Sequence, residues 1–236
     1  MADTKTSALT AANAIGATDI FPIVQGANPT AKATAAQLRT FAQAGLRHPG
    51  YVAGRWYPVH DTGAVSATSA LSAGSIRFLP FSIREAITLS DLAARVTTAA
   101  AAGNFQIAIY ASHATTKHPT GTALAATGNM STASATVVSA DITGSDVTIQ
   151  PGNYWSAVNV DNGTTAFSGA STSSPAIAQM IGSATLANVS STATGVALYL
   201  SLAQTFGTWP DVTAGGFTEV TGNGAPIIFV KVSAVP

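Results

Sequence analysis

Residues 87–112 read ITLSDLAARVTTAAAAGNFQIAIYAS, and this stretch decides the fold. Both halves carry regularly spaced apolar residues, and the second half alternates large apolar residues with others: Phe105, Gln106, Ile107, Ala108, Ile109 and Tyr110. A period of two predicts a strand that turns one face to a core and leaves the other wetter. Residues 102–104, AGN, are the small residues that a tight turn requires. The stretch therefore predicts a core β-hairpin.

Short β-type runs continue on both sides of this hairpin, at 55–58, 75–81, 137–138, 147–149, 153–160, 177–181, 196–202 and 227–232. Turn signals separate them. Pro151-Gly152 predicts a tight turn into the run that follows, and Asp161-Asn162-Gly163 predicts a hairpin after Val160. Many short strands divided by such turns predict a mainly β protein, an antiparallel β-sandwich.

The surface of this protein must be built largely from uncharged residues. Hydrophobic residues make up 47% of the 236 residues and charged residues only 8%, against about 25% charged in an ordinary soluble domain. So little charge predicts a protein that packs against neighbours in an assembly. Ten basic and ten acidic residues cancel, so no basic field favours nucleic acid as a partner.

Several further classes are disfavoured by what the sequence lacks. There is no cysteine, which removes disulfides, thiolate metal sites and cysteine nucleophiles. No run approaches 18 apolar residues, so we expect no membrane span. The first residues, MADTK, lack the apolar region of a signal peptide, and we expect synthesis in the cytoplasm.

The first 45 residues form a module of their own. Residues 19–26 predict a short edge strand, and Thr34 and Gln37 stand at capping-box spacing before a short helix that ends near Gly45. Such a module is too small to bury its own core, and we expect it to order only against a partner or its own symmetry mates. Residues 46–54 contain one proline and two glycines and predict a linker, with a second domain over 55–236.

Three segments of the first module carry a recognisable pattern: TSALTAA at 6–12, ATDIFPIVQG at 17–26 and AKATAAQL at 31–38. This pattern resembles the N-terminal adaptor of tailed-phage fibre and appendage proteins. The resemblance covers less than a fifth of the chain. It implies that the module docks on the virion, and the candidate docking residues are its apolar ones: Ile20, Phe21, Ile23, Val24, Leu38 and Phe41.

A weaker pattern runs through the second domain. SDL at 90–92, ARVTT at 94–98, Gly103, IAIY at 107–110 and PGNYW at 151–155 resemble a jelly-roll domain of phage and prophage virion proteins. Ala108 departs from the pattern, in which glycine is common at that position. The resemblance implies a jelly-roll-like sandwich, a homotrimer, and other virion proteins as partners.

Groups that could carry out chemistry are few, and each has a plainer explanation. His113 and His118 flank Lys117 without a nearby carboxylate, so exposed loop histidines are favoured over a metal site. His60 beside Asp61 could act as a base toward Ser66 or Ser69, but no nucleophile-elbow motif is present. We therefore predict no catalytic residue and no metal or cofactor site.

Glycan chemistry would need two facing carboxyl groups or exposed aromatic rings. The only glutamates are Glu85 and Glu219, and most aspartates, such as Asp161, stand in turn contexts. Trp155 lies within an apolar strand and is predicted to be core. Trp209, beside a proline in a glycine-rich loop, is the candidate for an exposed contact with a glycan or a partner.

The two resemblances imply a non-enzymatic structural component of a tailed-phage virion, of fibre, spike or decoration type, and the low charge fits this role. It would dock by its N-terminus and display a β-sandwich outward, with host surface polysaccharide as a candidate ligand. The alternative is a free carbohydrate-binding or glycan-degrading module. Release of reducing ends from host glycan would favour that alternative.

Overall fold

The computed structural model describes residues 20–22, 32–34, 49–60, 65–68, 70–170, 181–183, 197–221, 224 and 226–236. The chain divides into two compact units, Met1–Pro49 and Gly50–Pro236. The boundary falls inside the range predicted as a linker. Residues beyond it already belong to the larger unit, because the Gly54 amide donates to the Val232 carbonyl at 2.7 Å.

The described residues form strands and turns. The strands are β1 Ile20–Pro22, β2 Lys32–Thr34, β3 Trp56–Pro58, β4 Val65–Ala67, β5 Ser75–Ile83, β6 Ile87–Thr98, β7 Asn104–Ser112, β8 Pro119–Ala126, β9 Met130–Ser131, β10 Val137–Asp141, β11 Val147–Ile149, β12 Gly152–Val160, β13 Ala166–Ala170, β14 Ala197–Ala203, β15 Thr218–Thr221 and β16 Ile228–Ala234. In the first unit, β1 and β2 pair antiparallel. The second unit contains two antiparallel seven-stranded sheets.

The first sheet is organised on β6, its 12-residue central strand. One edge of β6 pairs with β10 and then β11. The other edge pairs with β16 and β13, and these lead on to β3 and β4. Because β6 bonds along both edges over most of its length, it fixes the register of the whole sheet.

The second sheet has the order β15-β14-β5-β12-β7-β8, with β9 paired to β7. Its central strand is β12, which pairs with β5 over Gly152–Asn159 and with β7 over Tyr154–Val160. The strands predicted at 55–58, 75–81, 147–149, 153–160, 196–202 and 227–232 are all present with small shifts at their ends. The one predicted at 177–181 lies outside the described residues, except for Ile181.

The main core lies between the two sheets, which confirms the β-sandwich. Side chains from both sheets meet there, among them Leu92, Phe105, Ile107, Phe167 and Val230. Burial of such side chains supplies the main stabilising free energy of a sandwich. Phe105, Ile107 and Ile109 point into this core, as their alternation in the sequence predicted.

A second apolar layer covers the far face of the second sheet, and here the expectation for β7 was wrong. Gln106, Ala108 and Tyr110 were expected to be wetter, yet all three are buried. Tyr110 and Ala108 pack in a cluster with Trp155 and Val212. The chain after β14 crosses this face and brings Val212 onto it, so β7 is buried on both sides.

The predicted hairpin at 87–112 is also wrong, although both of its strands exist. β6 belongs to the first sheet and β7 to the second, so residues 99–103 cross between the sheets. Ala102 makes the bend with a φ of 59°, in the left-handed region that residues with a Cβ adopt only rarely. The hairpin predicted at Asp161-Asn162-Gly163 fails in the same way, since it joins β12 in the second sheet to β13 in the first.

These two crossings lie against each other, and we call their contact the junction: residues 100–104, Thr132 and residues 161–165. Asp161 accepts hydrogen bonds from the backbone N–H of Asn104 at 2.8 Å and from its side-chain amide at 2.9 Å. Thr132, fully buried, donates its N–H to the Gly103 carbonyl. A Cβ on Gly103 would stand 2.4 Å from Thr132 Oγ1 and 2.5 Å from Asn162 Nδ2.

Core burial of β7 gives a direct test. Ile107→Ala should lower the free energy of unfolding by about 2–5 kcal/mol, because Ile107 is wholly buried between the sheets and its truncation leaves a cavity. Urea denaturation measures the change. Val52→Ala, at a side chain that is 48% exposed, is the control and should change it by less than about 0.5 kcal/mol. Equal effects of the two substitutions would contradict this face assignment.

Candidate functional site

The histidine and lysine turn that raised the question of a metal site forms a self-contained loop. His113 Nδ1 accepts hydrogen bonds from the N–H groups of Thr115 and Thr116 at 3.2 and 3.1 Å. Lys117 lies within this turn at a φ of 61°. Across the described part of the chain, no group of three or more His, Asp or Glu side chains is placed to hold a metal ion.

His60 is a buried structural residue with a partner that the sequence did not indicate. Its Nδ1 donates to the Pro80 carbonyl at 3.2 Å, so Nε2 is the acceptor for the Ser156 hydroxyl at 3.1 Å. Ser156 is 96 residues away in the chain and only 1% exposed. Of the partners first considered, Ser66 lies in β4, and Asp61 and Ser69 lie outside the described residues. A substrate could not reach the pair that does form.

Burial lowers the pKa of His60 from 6.5 to about 4, and the hydrogen bond to Pro80 opposes this shift only in part. The imidazole is therefore neutral at pH 7. A neutral histidine that accepts a hydrogen bond from a serine hydroxyl has the same groups as a catalytic base and its nucleophile. Both groups are buried among core side chains, with the imidazole edge-on to Phe81, so their role is to bind the 59–60 segment to the second sheet.

The carboxylates also make separate structural contacts. Glu85 Oε1 accepts from the Tyr51 amide at 2.6 Å, and Glu219 Oε2 accepts from the Ser183 hydroxyl at 2.7 Å. Asp211 Oδ1 accepts from the Thr213 amide at 2.9 Å, the turn role expected of it. None of these contacts joins two carboxyl groups in the way that glycoside hydrolysis requires.

Arg77 is a buried cation that the sequence patterns did not single out. Its guanidinium donates to the carbonyls of Gly224 and Ala70 at 3.0 and 3.1 Å and lies 4.9 Å from the centre of the Tyr199 ring. Burial lowers the pKa of Arg77. Its five donors and flat face suit it to hold two loops and an aromatic ring together, so its role here is structural.

Trp155 and Trp209, the two tryptophans considered in the sequence analysis, both lie in the outer apolar layer of the second sheet. Trp155 is core as predicted, 3% exposed, and its indole N–H donates to the Lys117 carbonyl at 3.0 Å. Trp209 packs on the same apolar layer and is half-buried, with its ring 6.4 Å from that of Tyr110. Its Nε1 is buried without a hydrogen-bond partner. Trp209 therefore covers Tyr110, and part of the indole ring of Trp209 stays exposed at the surface.

The candidate docking residues fall on the small N-terminal unit. Ile20 and Phe21 lie on β1, opposite Thr34 and Ala33 of β2. Thr34, predicted to precede a helix, is the last residue of β2. Ile23, Val24, Leu38, Phe41 and the predicted helix lie outside the described residues.

A row of four side chains, three of them charged, crosses the outer face of the first sheet. Successive paired positions place Asp141, Asp91, Lys231 and Trp56 side by side on β10, β6, β16 and β3. Lys231 Nζ lies 3.2 Å from Asp91 Oδ2. Burial alone would raise the pKa of Asp91, but hydrogen bonds from Ser90 and Lys231 outweigh it and lower that pKa.

Comparison with known proteins finds no match: no family model, no curated protein and no solved structure is significantly similar to this chain. Among the described residues there is no helix long and apolar enough to cross a membrane.

The state of His60 predicts a pH dependence of stability. Between pH 6.5 and about 4 the unfolded chain binds a proton at this residue and the folded protein does not. Stability therefore falls as the pH drops through that window, by about 3 kcal/mol for such a pKa difference. Below it both states are protonated and this residue adds no further loss.

Urea denaturation at intervals from pH 7 to pH 3.5 measures this dependence. His60→Gln should flatten the fall between pH 6.5 and 4. His118→Gln, at an exposed histidine, is the matched control and should leave the slope unchanged. If the wild-type slope persists in His60→Gln, some other group is responsible and the account of His60 is wrong.

Proposed function

We propose that this chain is a non-enzymatic structural component of a tailed-phage virion, a fibre, spike or decoration-type appendage. Its small N-terminal unit docks on the particle and its β-sandwich is displayed outward. After its synthesis in the host bacterium, the protein is then located in the virion.

The observation that carries the proposal is the division of the chain at Pro49. The adaptor-like pattern of residues 6–38 falls wholly within the smaller unit, and the jelly-roll-like pattern falls wholly within the larger one. A unit of 49 residues whose sequence holds few large apolar residues has little apolar surface of its own to bury. Stable order in such a segment requires a partner surface.

Support for a non-enzymatic role comes from the use that the larger unit makes of its reactive groups. His60, Ser156 and Arg77 are buried in structural contacts, and Glu85 and Glu219 accept hydrogen bonds from separate segments. Each of these groups stabilises the sandwich. None of them lines a shared cleft with a nucleophile and a base in the described residues.

The low charge of the protein supports a role within a larger assembly. With 8% charged residues, the protein offers neutral polar and apolar surface to its neighbours, which favours association over dispersal. Its partners in this proposal are other virion proteins and further copies of itself, with the homotrimer that the resemblance implies. Host surface polysaccharide remains the proposed ligand of the outward domain, with Trp209 as the half-buried aromatic contact.

Deletion of residues 1–49 tests the docking role. The remaining unit contains both sheets and both apolar layers, so it should stay folded and soluble, with a cooperative thermal transition. It should no longer be incorporated into particles when supplied during infection by a phage that lacks the gene. Quantitative mass spectrometry of purified particles measures its copy number.

Two full-length variants control for size and separate the outcomes. Ile20→Ser with Phe21→Ser should reduce incorporation, and Leu124→Ser, at an exposed position on β8 of the larger unit, should leave it normal. Normal copy number for the truncated chain would overturn the docking proposal. Release of reducing ends from host glycan by the purified protein would instead support the glycan-degrading alternative.

A further inference from the structure

We propose that the outer face of the first sheet is a two-fold contact surface for a second copy of this chain. The face consists of the residues on β3, β6, β10 and β16 that point away from the core: Trp56, Pro58, Asp91, Ala93, Arg95, Val137, Ser139, Asp141, Phe229 and Lys231. In the contact, the two β6 strands run antiparallel across the interface.

The backbone register places these residues in order. On β6, Leu92, Ala94 and Val96 enter the core, so Asp91, Ala93 and Arg95 lie on the opposite face. Ser139 and Phe229 are paired with Ala93 on either side. The centre of the face is thus one small residue between a serine and a half-buried phenylalanine.

The face is partly apolar. Its apolar exposure lies near the margins, where Trp56 and Val137 are 40% and 57% exposed, whereas Ala93 at the centre is only 2% exposed. Pro58 pairs with Phe229 and extends the apolar row to β3. Such a sheet face can pack on another sheet, since sheets stack face to face at about 10 Å.

Charges lie at the two ends of the face and have opposite signs. Asp91 and Asp141 lie side by side at one end with a single cation, Lys231, so this end carries a net negative charge. Arg95 lies at the other end beside Val137. It is exposed, and within the described chain no carboxylate lies at ion-pair distance from it.

This pattern is complementary to itself. A two-fold axis that lies across β6 at Ala93 places Arg95 of each copy over the Asp91 and Asp141 end of the other, twice per interface. Turning the second copy so that the β6 strands run parallel would place Arg95 over Arg95, which is repulsive. The charges therefore select the antiparallel arrangement, and the apolar row supplies the attraction.

The face is about half the size of a standard interface. β6, β16, β10 and β3 have 12, 7, 5 and 3 residues, and each residue covers about 16 Å² of sheet, which gives about 430 Å² against the roughly 800 Å² per partner of a standard interface. We therefore expect a reversible contact that depends on protein concentration. A second copy is also the one partner whose charge pattern is known to match, because it carries the same face.

The contact is independent of the virion-docking proposal, since it involves only the larger unit. A two-fold contact yields species with even numbers of chains, a dimer alone or a hexamer where a three-fold contact is present as well. Its failure leaves docking by the N-terminal unit unaffected.

Light-scattering mass measurement of the full-length chain from about 1 to 50 µM tests the contact, with Arg95→Glu and Asp141→Lys as variants. Wild type should form a species with an even number of chains. Each variant alone should raise the dissociation constant of the pairwise contact about tenfold or more, because it places like charges across the interface. An equimolar mixture should recover association, since the carboxylate introduced in one variant then meets the ammonium group introduced in the other.

Lys117→Glu, which makes the same change of charge on a turn of the other sheet, is the matched control and should associate like wild type. Circular dichroism should show all variants folded, as both positions are exposed on the sheet surface. A wild-type monomer or trimer, or association unaffected by Arg95→Glu, would overturn the proposal. So would a mixture that associates no better than its separate components.

Discussion

The hydrogen bonds between Asp161 and Asn104 join two of the places where the chain passes from one sheet to the other, and they tie the central strands of the two sheets to each other. One crossing follows β6 and the other follows β12, the central strands of the two sheets. Burial by itself would raise the pKa of Asp161, but hydrogen bonds from Asn104 and Asn162 outweigh it and lower that pKa. The carboxylate is therefore held charged, and a charged acceptor makes the stronger hydrogen bond.

The sandwich buries apolar side chains in two layers. The inner layer lies between the sheets, and the outer layer is closed by the 204–217 segment around Tyr110 and Trp209. His60 and Arg77 make hydrogen bonds inside the sandwich and hold neighbouring segments together.

Local sequence predicted the strands well and their pairing poorly. The alternation of Phe105, Ile107 and Ile109 identifies a strand, but the small residues of AGN at 102–104 suit a crossing as well as a hairpin. The crossing replaces the hairpin because Ile107 pairs with Val158, which lies 51 positions further along the chain. No local pattern contains that information.

The same limit applies to the sites. His60 was recognised as a notable residue, but Ser156 became its partner only through the fold. The burial of Tyr110 depends on Pro210, to whose carbonyl it donates from 100 residues away. The spacing of Asp91, Ala93 and Arg95 was visible in DLAAR at 91–95, yet its meaning required the register that sets Asp141 and Lys231 beside Asp91.

Two glycine substitutions at the junction test most directly whether the two crossings are locked together. Gly103→Ala forces a Cβ against Thr132 and Asn162, whereas a Cβ on Gly163, in the other crossing, would meet nothing within 4 Å. Urea unfolding should show Gly103→Ala destabilised by about 1–3 kcal/mol and Gly163→Ala changed by less than about 0.5 kcal/mol. Equal stabilities for the two variants would mean that the crossings do not pack as described, and the account of the fold would be wrong at its centre.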